Sequence, residues 1–305
     1  MTKILAIQGS DLKKVNIKTD TTILLASEAQ KRGYKIYYFE PENLSFLNGK
    51  VSAFCKHIKI NENKKKFYSL LGTVKFNLEK SKVILIRNDP PFDNRYLYST
   101  FLLNHISNKV KIINHPFAVR NISEKLFSIN LMRYMPPTLI SENLSEIKSF
   151  FKKHKAVVAK PINGFSGNNV ILMKTFNSSK IRKFIKTNNH LFFQKFLPGV
   201  SKGDKRVFII KGKIVGAISR IPKKGSILSN MSKGAKAKLT KLTRKEVNVS
   251  KVIGKLLVKN NIYFAGIDFV QGKLIGDINV TSPTGLAAYK DLSGINLAKL
   301  FWNNI

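Results

Sequence analysis

Residues 263–280 read YFAGIDFVQGKLIGDINV. Two apolar, β-prone runs flank Gly272-Lys273, a pattern typical of an antiparallel hairpin. If these two residues form the turn, Asp268 lies directly opposite Asp277 on the neighbouring strand. Asn279 lies on the same face as Asp277, because alternate residues of a strand share a face. The hairpin therefore gathers two carboxylates and an amide on one surface.

Two carboxylates at directly opposite positions, roughly 5 Å apart, repel each other unless a cation or a shared proton lies between them. An all-oxygen set of two Asp and one Asn suits Mg²⁺ or Mn²⁺, with phosphate oxygens completing the coordination shell. The alternative is that both acids are exposed residues beside a turn. The whole chain contains only 17 acidic residues, and two of them are predicted to face each other on apolar strands. Both explanations, a metal site and a pair of exposed acids, therefore stay open.

A second pattern is VVAKPINGFSG, residues 157–167. Lys160 ends a buried-type strand, and Gly164 and Gly167 follow closely. Such a loop can bring backbone N–H groups and an ammonium group against phosphate oxygens. The Gly-Lys-Ser/Thr ending of a P-loop is absent. For this segment alone, a simple turn after a strand is the better interpretation.

A third pattern is Gln194-Lys-Phe-Leu-Pro198, an apolar segment that ends at proline. It could hold a flat base through backbone hydrogen bonds, while Asp204 reaches a ribose hydroxyl. Taken alone, the segment is better explained as an ordinary edge strand. The five histidines show no metal-ligand spacing, and the sequence contains no visible Ser-His-Asp or Cys-His set.

The length of 305 residues predicts two or three lobes. Strands alternate with helices over the first 120 residues, which indicates a parallel α/β lobe. From about Ile122 onward, the pattern favours an α+β lobe rich in antiparallel pairs, with a helix over Ser123–Tyr134. Residues 223–245 hold eight basic residues and no acid, and we expect them to form a mobile surface loop.

The net charge of +37 makes nucleic acid the first partner to consider. The lysines, however, are spread from Lys3 to Lys299, whereas a phosphate-binding surface concentrates its charge. A general lysine bias is therefore the preferred explanation. The single cysteine, Cys55, suits a reducing cytoplasm. We expect no signal peptide at the start of the chain and no membrane span, because no run approaches 18 uncharged apolar residues.

In their order along the chain, these motifs resemble the ATP-grasp ligases, and most of all the bacterial glutathione synthetases. The motifs that carry the resemblance are NIK…D (16–20), RNDPPFD (87–93), ISEKLF (122–127), AKP…GFSG (159–167), QKFLP (194–198), GDKRV (203–207), RIP (220–222) and DINVTSPT (277–284). The resemblance implies a pre-ATP-grasp α/β lobe over residues 1–122. A two-lobed ATP-grasp domain over residues 123–305 follows it, with a lid at about 223–245.

The resemblance also implies roles for individual residues. The residues implied to bind the phosphates of ATP are Lys125, Lys160, Gly164 and Gly167. Those implied for the adenine and the ribose are Gln194, Lys195, Phe196, Leu197 and Asp204. The implied metal ligands are Asp268, Asp277 and Asn279. Those implied to face the peptide substrate are Asp20, Arg206, Arg220, Asn230 and Ser282, with the two arginines also acting on the acyl phosphate as catalytic residues.

The implied reaction joins γ-glutamylcysteine to glycine with ATP and Mg²⁺ or Mn²⁺, and gives glutathione, ADP and phosphate through an acyl phosphate. The family also implies a cytoplasmic homo-oligomer, a tetramer or a dimer, without a specific nucleic-acid or membrane partner. The chain departs from the family in the lid, which reads LSNMSKG at 228–234, and at Leu286-Ala-Ala288, where the family has Ile-Arg-Glu. Two alternatives stay open: another ATP-grasp ligase with a different carboxylate or amine, and a basic nucleic-acid-binding protein.

Overall fold

The protein is described by a computed structural model that covers residues 2–17, 19–61, 66–303 and 305. The strands within these ranges are β1 (Ile4–Gly9), β2 (Lys35–Phe39), β3 (Leu44–Leu47), β4 (Lys50–Ile60), β5 (Tyr68–Asn77), β6 (Val83–Arg87), β7 (Lys111–Ile113), β8 (Thr138–Ser141), β9 (Val157–Pro161), β10 (Ile171–Met173), β11 (Leu191–Lys195), β12 (Asp204–Ile210), β13 (Lys213–Ile221), β14 (Lys236–Leu239), β15 (Phe264–Val270) and β16 (Lys273–Asn279). The α-helices are α1 (Thr21–Lys31), α2 (Asn94–His105), α3 (Pro116–Asn121), α4 (Leu144–His154), α5 (Ser178–Asn188), α6 (Arg244–Lys259), α7 (Leu286–Ser293) and α8 (Leu297–Asn303).

The N-terminal lobe is built on a seven-stranded sheet in the order β3-β4-β2-β1-β6-β7, with β5 paired to β4. The four strands β1, β2, β6 and β7 run parallel, as the sequence predicts. The antiparallel strands β3, β4 and β5 are an addition that the prediction of a parallel lobe missed. Their signal is present in β4, where buried and more exposed residues roughly alternate along Lys50–Ile60.

Two further sheets form the rest of the molecule. The four strands β10-β9-β11-β8 make one antiparallel sheet, and the five strands β14-β13-β12-β15-β16 make the other. Helices α4 and α5 cover the first of these sheets through Ile147, Phe151 and Ile181. Helix α6 covers one face of the second through Val249, Ile253 and Leu257. The predicted helix at Ser123–Tyr134 is instead a run of 3₁₀ turns at Leu126–Tyr134.

The N-terminal lobe packs directly on the five-stranded sheet. Leu5 and Ile7 of β1 share one apolar cluster with Phe208 and Ile210 of β12. The C-terminal helix α8 closes the same cluster with Phe301. Burial of this continuous apolar surface fixes the N-terminal lobe against the sheet that carries the candidate site. The division of the chain at residues 122 and 123 stays a prediction. Within the described residues, no helix has the length and apolar character that a membrane crossing requires.

The hairpin that joins β15 to β16 turns one residue earlier than predicted. Val270 pairs with Lys273, so the two turn residues are Gln271 and Gly272, and the predicted Gly272-Lys273 turn is wrong. Both turn residues have positive φ, +49° and +70°. A two-residue turn of this kind requires positive φ at both central positions, which keeps Lys273 in the extended strand.

A bulge in β16 then restores the predicted register. Phe269 pairs with Leu274 on the turn side, and Ile267 pairs with Ile278 beyond the bulge. Three residues of β16, Ile275–Asp277, therefore lie opposite Asp268 alone. Gly276 allows the bulge through its φ of +87°. A Cβ atom there would lie 2.9 Å from the ring of Phe192.

Candidate active site

A cleft of about 700 Å³ opens where the three sheets approach one another. This volume is in the range typical of small-molecule sites. All seventeen residues singled out from the sequence line the cleft, from Asp20 to Ser282. The structure thus brings the predicted site residues together, and their individual roles stay predictions. Of the quoted motif at residues 16–20, Lys18 lies outside the described residues.

Two lysine ammonium groups flank one carboxylate in this cleft. Lys125 Nζ lies 3.6 Å from Asp277 Oδ1, and Lys160 Nζ lies 3.6 Å from Asp277 Oδ2. Both lysines are buried, whereas the Asp277 side chain is partly exposed to the cleft. The arrangement concentrates positive charge around a carboxylate that still faces the open volume, and such a surface attracts a polyanion.

Each lysine is also tied to backbone oxygens. Lys160 Nζ donates to the carbonyl of Ile275 at 2.9 Å, and Lys125 Nζ donates to the carbonyl of Gly164 at 2.5 Å. Burial lowers the pKa of Lys160 below its ordinary value, Asp277 opposes this shift, and the nearby Lys125 adds to it. An anion that entered beside Lys160 would favour its charged form.

Four buried charged side chains form an ion-pair network across β12, β13 and β15. Arg206 donates to Asp268 at 2.8 and 2.7 Å, and Arg220 donates to Asp204 at 2.8 and 2.5 Å. Arg220 also lies 3.0 Å from Asp268. The network follows from strand register, because Asp204 pairs with Arg220 and Arg206 pairs with Asp268. Asp204, which is predicted to bind the ribose, and the two arginines, which are predicted to face the peptide, are therefore already paired with one another or with Asp268.

The carboxylates of Asp268 and Asp277 do not form the predicted directly opposed pair, because the bulge interrupts the ladder between them. Asp277 pairs with the two lysines, and Asp268 with the two arginines. Burial acts to raise the pKa of Asp268, but Arg206 and Arg220 outweigh it and hold the pKa below its ordinary value. Both acids thus lie beside cationic side chains, which offset the mutual repulsion expected of two nearby carboxylates.

The donor set of the predicted metal site consists of oxygens, which suits a hard divalent cation. Asn279 Nδ2 donates to the carbonyl of Gly266 at 3.1 Å and lies 3.3 Å from Asp268 Oδ2. The amide oxygen of Asn279 is therefore the atom available to a cation. Within the described residues, no group of three His, Cys, Asp or Glu side chains has a metal-binding arrangement. The predicted set fits a cation only when other oxygens, such as those of a phosphate chain, complete its shell.

The wall of the cleft beside Lys160 is formed by the end of β11 and the residues after it, and Lys160 Nζ lies 3.4 Å from Gln194 Oε1. Gln194 is buried, and its side chain donates to Thr138 Oγ1 at 3.1 Å. Lys195, Phe196 and Leu197 continue along the same wall. This wall combines apolar and polar side chains, as small-molecule sites commonly do.

The predicted lid lies over the glycine loop. Its residues Ile227–Ser232 line the cleft. A Cβ atom at Gly167 would lie 2.7 Å from Asn230 Oδ1, so glycine permits the close contact. Part of the segment forms β14, which pairs with β13. The expectation of an irregular loop is therefore wrong for Lys236–Leu239, and the mobility of the remainder stays a prediction.

Several lining residues were not identified from the sequence. Glu124 immediately precedes Lys125, and its carboxylate accepts a hydrogen bond from Thr281 Oγ1 at 2.8 Å. Thr284 Oγ1 accepts one from Arg206 Nη1 at 3.4 Å. Glu124 falls within the quoted motif ISEKLF, and Thr281 and Thr284 fall within DINVTSPT. Those motifs were the available signal for them.

The chain matches two family models. They are described as the prokaryotic glutathione synthetase N-terminal domain, which matches residues 4–120, and the prokaryotic glutathione synthetase ATP-grasp domain, which matches residues 124–294. Together the two matches span nearly the whole chain.

Curated relatives agree with these models, and a solved structure shares the fold. A protein named glutathione synthetase from Rhodopseudomonas palustris is 36% identical over 309 residues, which cover 100% of this chain and 98% of the relative. One of the same name from Bradyrhizobium diazoefficiens is 38% identical over 304 residues, which cover 98% and 96%. The crystal structure of the D-cycloserine synthetase DcsG has a TM-score of 0.66 at 13% identity and covers 99% of each chain, which is a likeness of fold.

Proposed function

Because the chain belongs to the prokaryotic glutathione synthetase family and is an ATP-dependent ligase that forms glutathione, we propose that the cleft is the site at which γ-glutamylcysteine is joined to glycine. ATP would lie with its phosphates between Lys125, Lys160 and the loop Gly164–Gly167. Its adenine would lie against Gln194–Leu197. The peptide carboxylate would meet Arg206 and Arg220 beyond the phosphates.

The observation that carries this proposal is the pair of buried ammonium groups at 3.6 Å from the two oxygens of Asp277. Two buried cations that face an open volume favour an anion with several oxygens. The glycine loop lies at the same point, because the carbonyl of Gly164 accepts a hydrogen bond from Lys125 Nζ. A polyphosphate chain would place oxygens against both ammonium groups at once.

We assign Asp268, Asp277 and Asn279 to a divalent cation, Mg²⁺ or Mn²⁺, held together with the phosphate oxygens. When bound, the cation supplies neutralisation of the charge on the transferring phosphoryl group. Asp204 keeps Arg220 oriented, and Asp268 keeps Arg206 oriented. The arginines therefore need little rearrangement when negative charge develops beside them.

The reaction then has two balanced steps. An oxygen of the peptide carboxylate attacks the γ-phosphorus of ATP, the bond to the β-phosphate oxygen breaks, and ADP leaves. The amine of glycine attacks the resulting acyl carbon, loses a proton, and expels phosphate as the amide forms. Lys125, Lys160 and the arginines hold the negative charge in the first step. The lid over Gly167 would exclude water, which otherwise hydrolyses the acyl phosphate.

Phosphate release and glutathione formation, measured with purified protein, ATP, Mg²⁺, γ-glutamylcysteine and glycine, test this proposal. Both products should depend on both substrates in a one-to-one ratio. Omission of glycine should abolish glutathione formation. Phosphate release that ignores both substrates but responds to another carboxylate and amine would identify a different ligase of the same fold.

One observation favours retaining that second candidate. Ala287 and Ala288 stand where the family has Arg and Glu. Ala287 is buried and Ala288 packs against the core shared by both lobes, so neither position offers a charge to a substrate. Competition among γ-glutamylcysteine, other dipeptides and several amino acids would reveal any altered preference. We also propose a homo-oligomer in the cytoplasm, which analytical ultracentrifugation and cell fractionation test.

A further inference from the structure

Residue 124 connects the phosphate end of the cleft to the proposed metal strand by four hydrogen bonds. The carboxylate oxygen Oε1 of Glu124 accepts from Val280 N at 2.8 Å, from Thr281 N at 3.0 Å and from Thr281 Oγ1 at 2.8 Å. The backbone carbonyl of Glu124 accepts from Ile278 N at 3.1 Å. These bonds join two segments that are more than 150 residues apart in sequence.

The residues next to these bonds are those that we propose to bind the phosphates of ATP and the cation. Lys125 follows Glu124 directly and reaches Asp277. Asn279 lies between Ile278 and Val280, both of which Glu124 binds. The spacing between a phosphate-binding lysine and two proposed metal ligands is therefore set by one acidic residue.

A buried side chain of the N-terminal lobe fixes the same point. Asn114 donates to the carbonyl of Val280 at 2.7 Å and to the carbonyl of Phe264 at 2.8 Å. Its amide oxygen accepts from the backbone N–H groups of Tyr263 and Phe264. Val280 is thus bound through its N–H by Glu124 and through its carbonyl by Asn114. Residue 280 cannot shift without breaking one of these bonds.

We propose that Glu124 is a positioning residue that sets the geometry between Lys125 and the strand end carrying Asp277 and Asn279, and so couples ATP binding to metal binding. This inference rests on the proposed function, since it takes Asp277 and Asn279 as metal ligands. Glu124 acts through its reach and its hydrogen bonds. Partners that orient metal ligands typically affect metal affinity or activity about 10- to 100-fold.

Three substitutions separate reach from charge. Glu124→Ala removes all three side-chain bonds. Glu124→Gln keeps the reach and an accepting oxygen without the charge, whereas Glu124→Asp keeps the charge but is one methylene shorter. Glu246→Ala is the control, because the carboxylate of Glu246 also accepts from a backbone N–H group and from a side chain, at the start of α6 and outside the cleft.

The main readout is the affinity for a non-hydrolysable ATP analogue, measured by calorimetry with and without Mg²⁺. In Glu124→Ala, the gain in affinity that Mg²⁺ gives should fall at least about tenfold, and kcat should fall more than KM for ATP changes. Glu124→Gln should restore most of both quantities, and Glu124→Asp should not. Glu246→Ala should lower the melting temperature without changing either.

The outcomes are distinct. If wild-type protein shows no metal-dependent analogue binding, the proposed function and this inference fail together. If the wild type shows that binding and Glu124→Ala behaves like Glu246→Ala, only this inference is overturned. Rescue by Asp but not by Gln also overturns it, because charge and not position would then be the requirement. If Glu124→Ala does not fold, the comparison of Gln with Asp decides.

Discussion

Arg206 binds Asp268 through two parallel hydrogen bonds, 2.8 Å from Nε to Oδ1 and 2.7 Å from Nη2 to Oδ2. The two residues are cross-strand neighbours on β12 and β15. A planar guanidinium that grips both oxygens fixes the orientation of the carboxylate. One side of the proposed metal site is therefore set by the same arginine that we assign to the peptide carboxylate, so the metal and substrate subsites share a side-chain framework.

Asp277→Asn and Asn279→Ala should each lower turnover by about 100-fold or more. Both substitutions weaken the proposed binding of the cation that neutralises the charge developing during phosphoryl transfer. In Asp277→Asn, Lys125 and Lys160 also lose their common counter-ion. The metal-free ATP analogue should then bind at least as tightly as to wild type, with the benefit of Mg²⁺ lost. Calorimetry with and without Mg²⁺ measures both effects.

Asp291→Asn is the control for these two variants, since Asp291 is an exposed acid on α7. It should behave like the wild type in both assays. Near-normal turnover of Asp277→Asn and Asn279→Ala at saturating Mg²⁺ would remove the metal assignment.

Lys125→Ala and Lys160→Ala should weaken binding of the ATP analogue. A hydrogen bond between a charged group and its partner contributes on the order of 1.5–3 kcal/mol, which corresponds to roughly tenfold to more than a hundredfold in affinity. Isothermal titration gives the dissociation constants directly. Lys152→Ala, on the exposed side of α4, should bind normally. Unchanged affinity in both cleft variants would contradict the phosphate-binding role and favour the interpretation of residues 157–167 as a simple turn.

Arg220→Ala should destabilise the protein by about 3–5 kcal/mol, because it leaves the buried carboxylate of Asp204 without its partner. Urea unfolding followed by circular dichroism measures the loss. The exposed pair of Arg95 and Glu42, with 3.8 Å between its atoms, is the comparison. Glu42→Gln should change stability by less than about 1 kcal/mol. Equal effects of the two substitutions would show that the buried network adds no stability of its own.

Trypsin should cut the lid of the free protein at Lys223, Lys224 or Lys233, which are exposed and lie outside regular strands. Cleavage at Lys236 and Lys238 should be slower, because these residues belong to β14. The ATP analogue with γ-glutamylcysteine should slow the first set of cuts, since bound anions offset repulsion among the lysines and hold the lid closed. Mass spectrometry identifies the sites. Equal rates with and without ligands would mean that the segment is no lid.

Cys55 should resist thiol reagents in the folded protein. Burial raises the pKa of its thiol to about 12, so almost no thiolate forms between pH 7 and 9, and the thiolate is the reactive form. A chromogenic disulfide should detect no fast-reacting thiol in native protein and one thiol per chain after denaturation, since the sequence has a single cysteine. Rapid reaction at pH 8 without loss of structure would show that β4 opens readily.

Much of the fold follows from local patterns. The alternation of strands with helices over the first 120 residues predicted the parallel part of the N-terminal sheet, which β1, β2, β6 and β7 form. All seventeen residues that the ordered motifs identified line the cleft. Helices α4 and α5 and the antiparallel strands β3 to β5 were not predicted, although the alternation along β4 offered a signal for that strand.

By itself, then, the sequence determined seventeen of the residues that gather in the cleft, because each ordered motif is a short segment that can be recognised locally. The tertiary structure alone decided their partners. The bulge at Gly276 forms where the strand passes the ring of Phe192, and it interrupts the pairing of Asp277 with Asp268. Lys125 and Lys160 reach Asp277 from segments more than 100 residues away. Such pairings depend on how distant segments pack and register against one another, which no local pattern in the chain encodes.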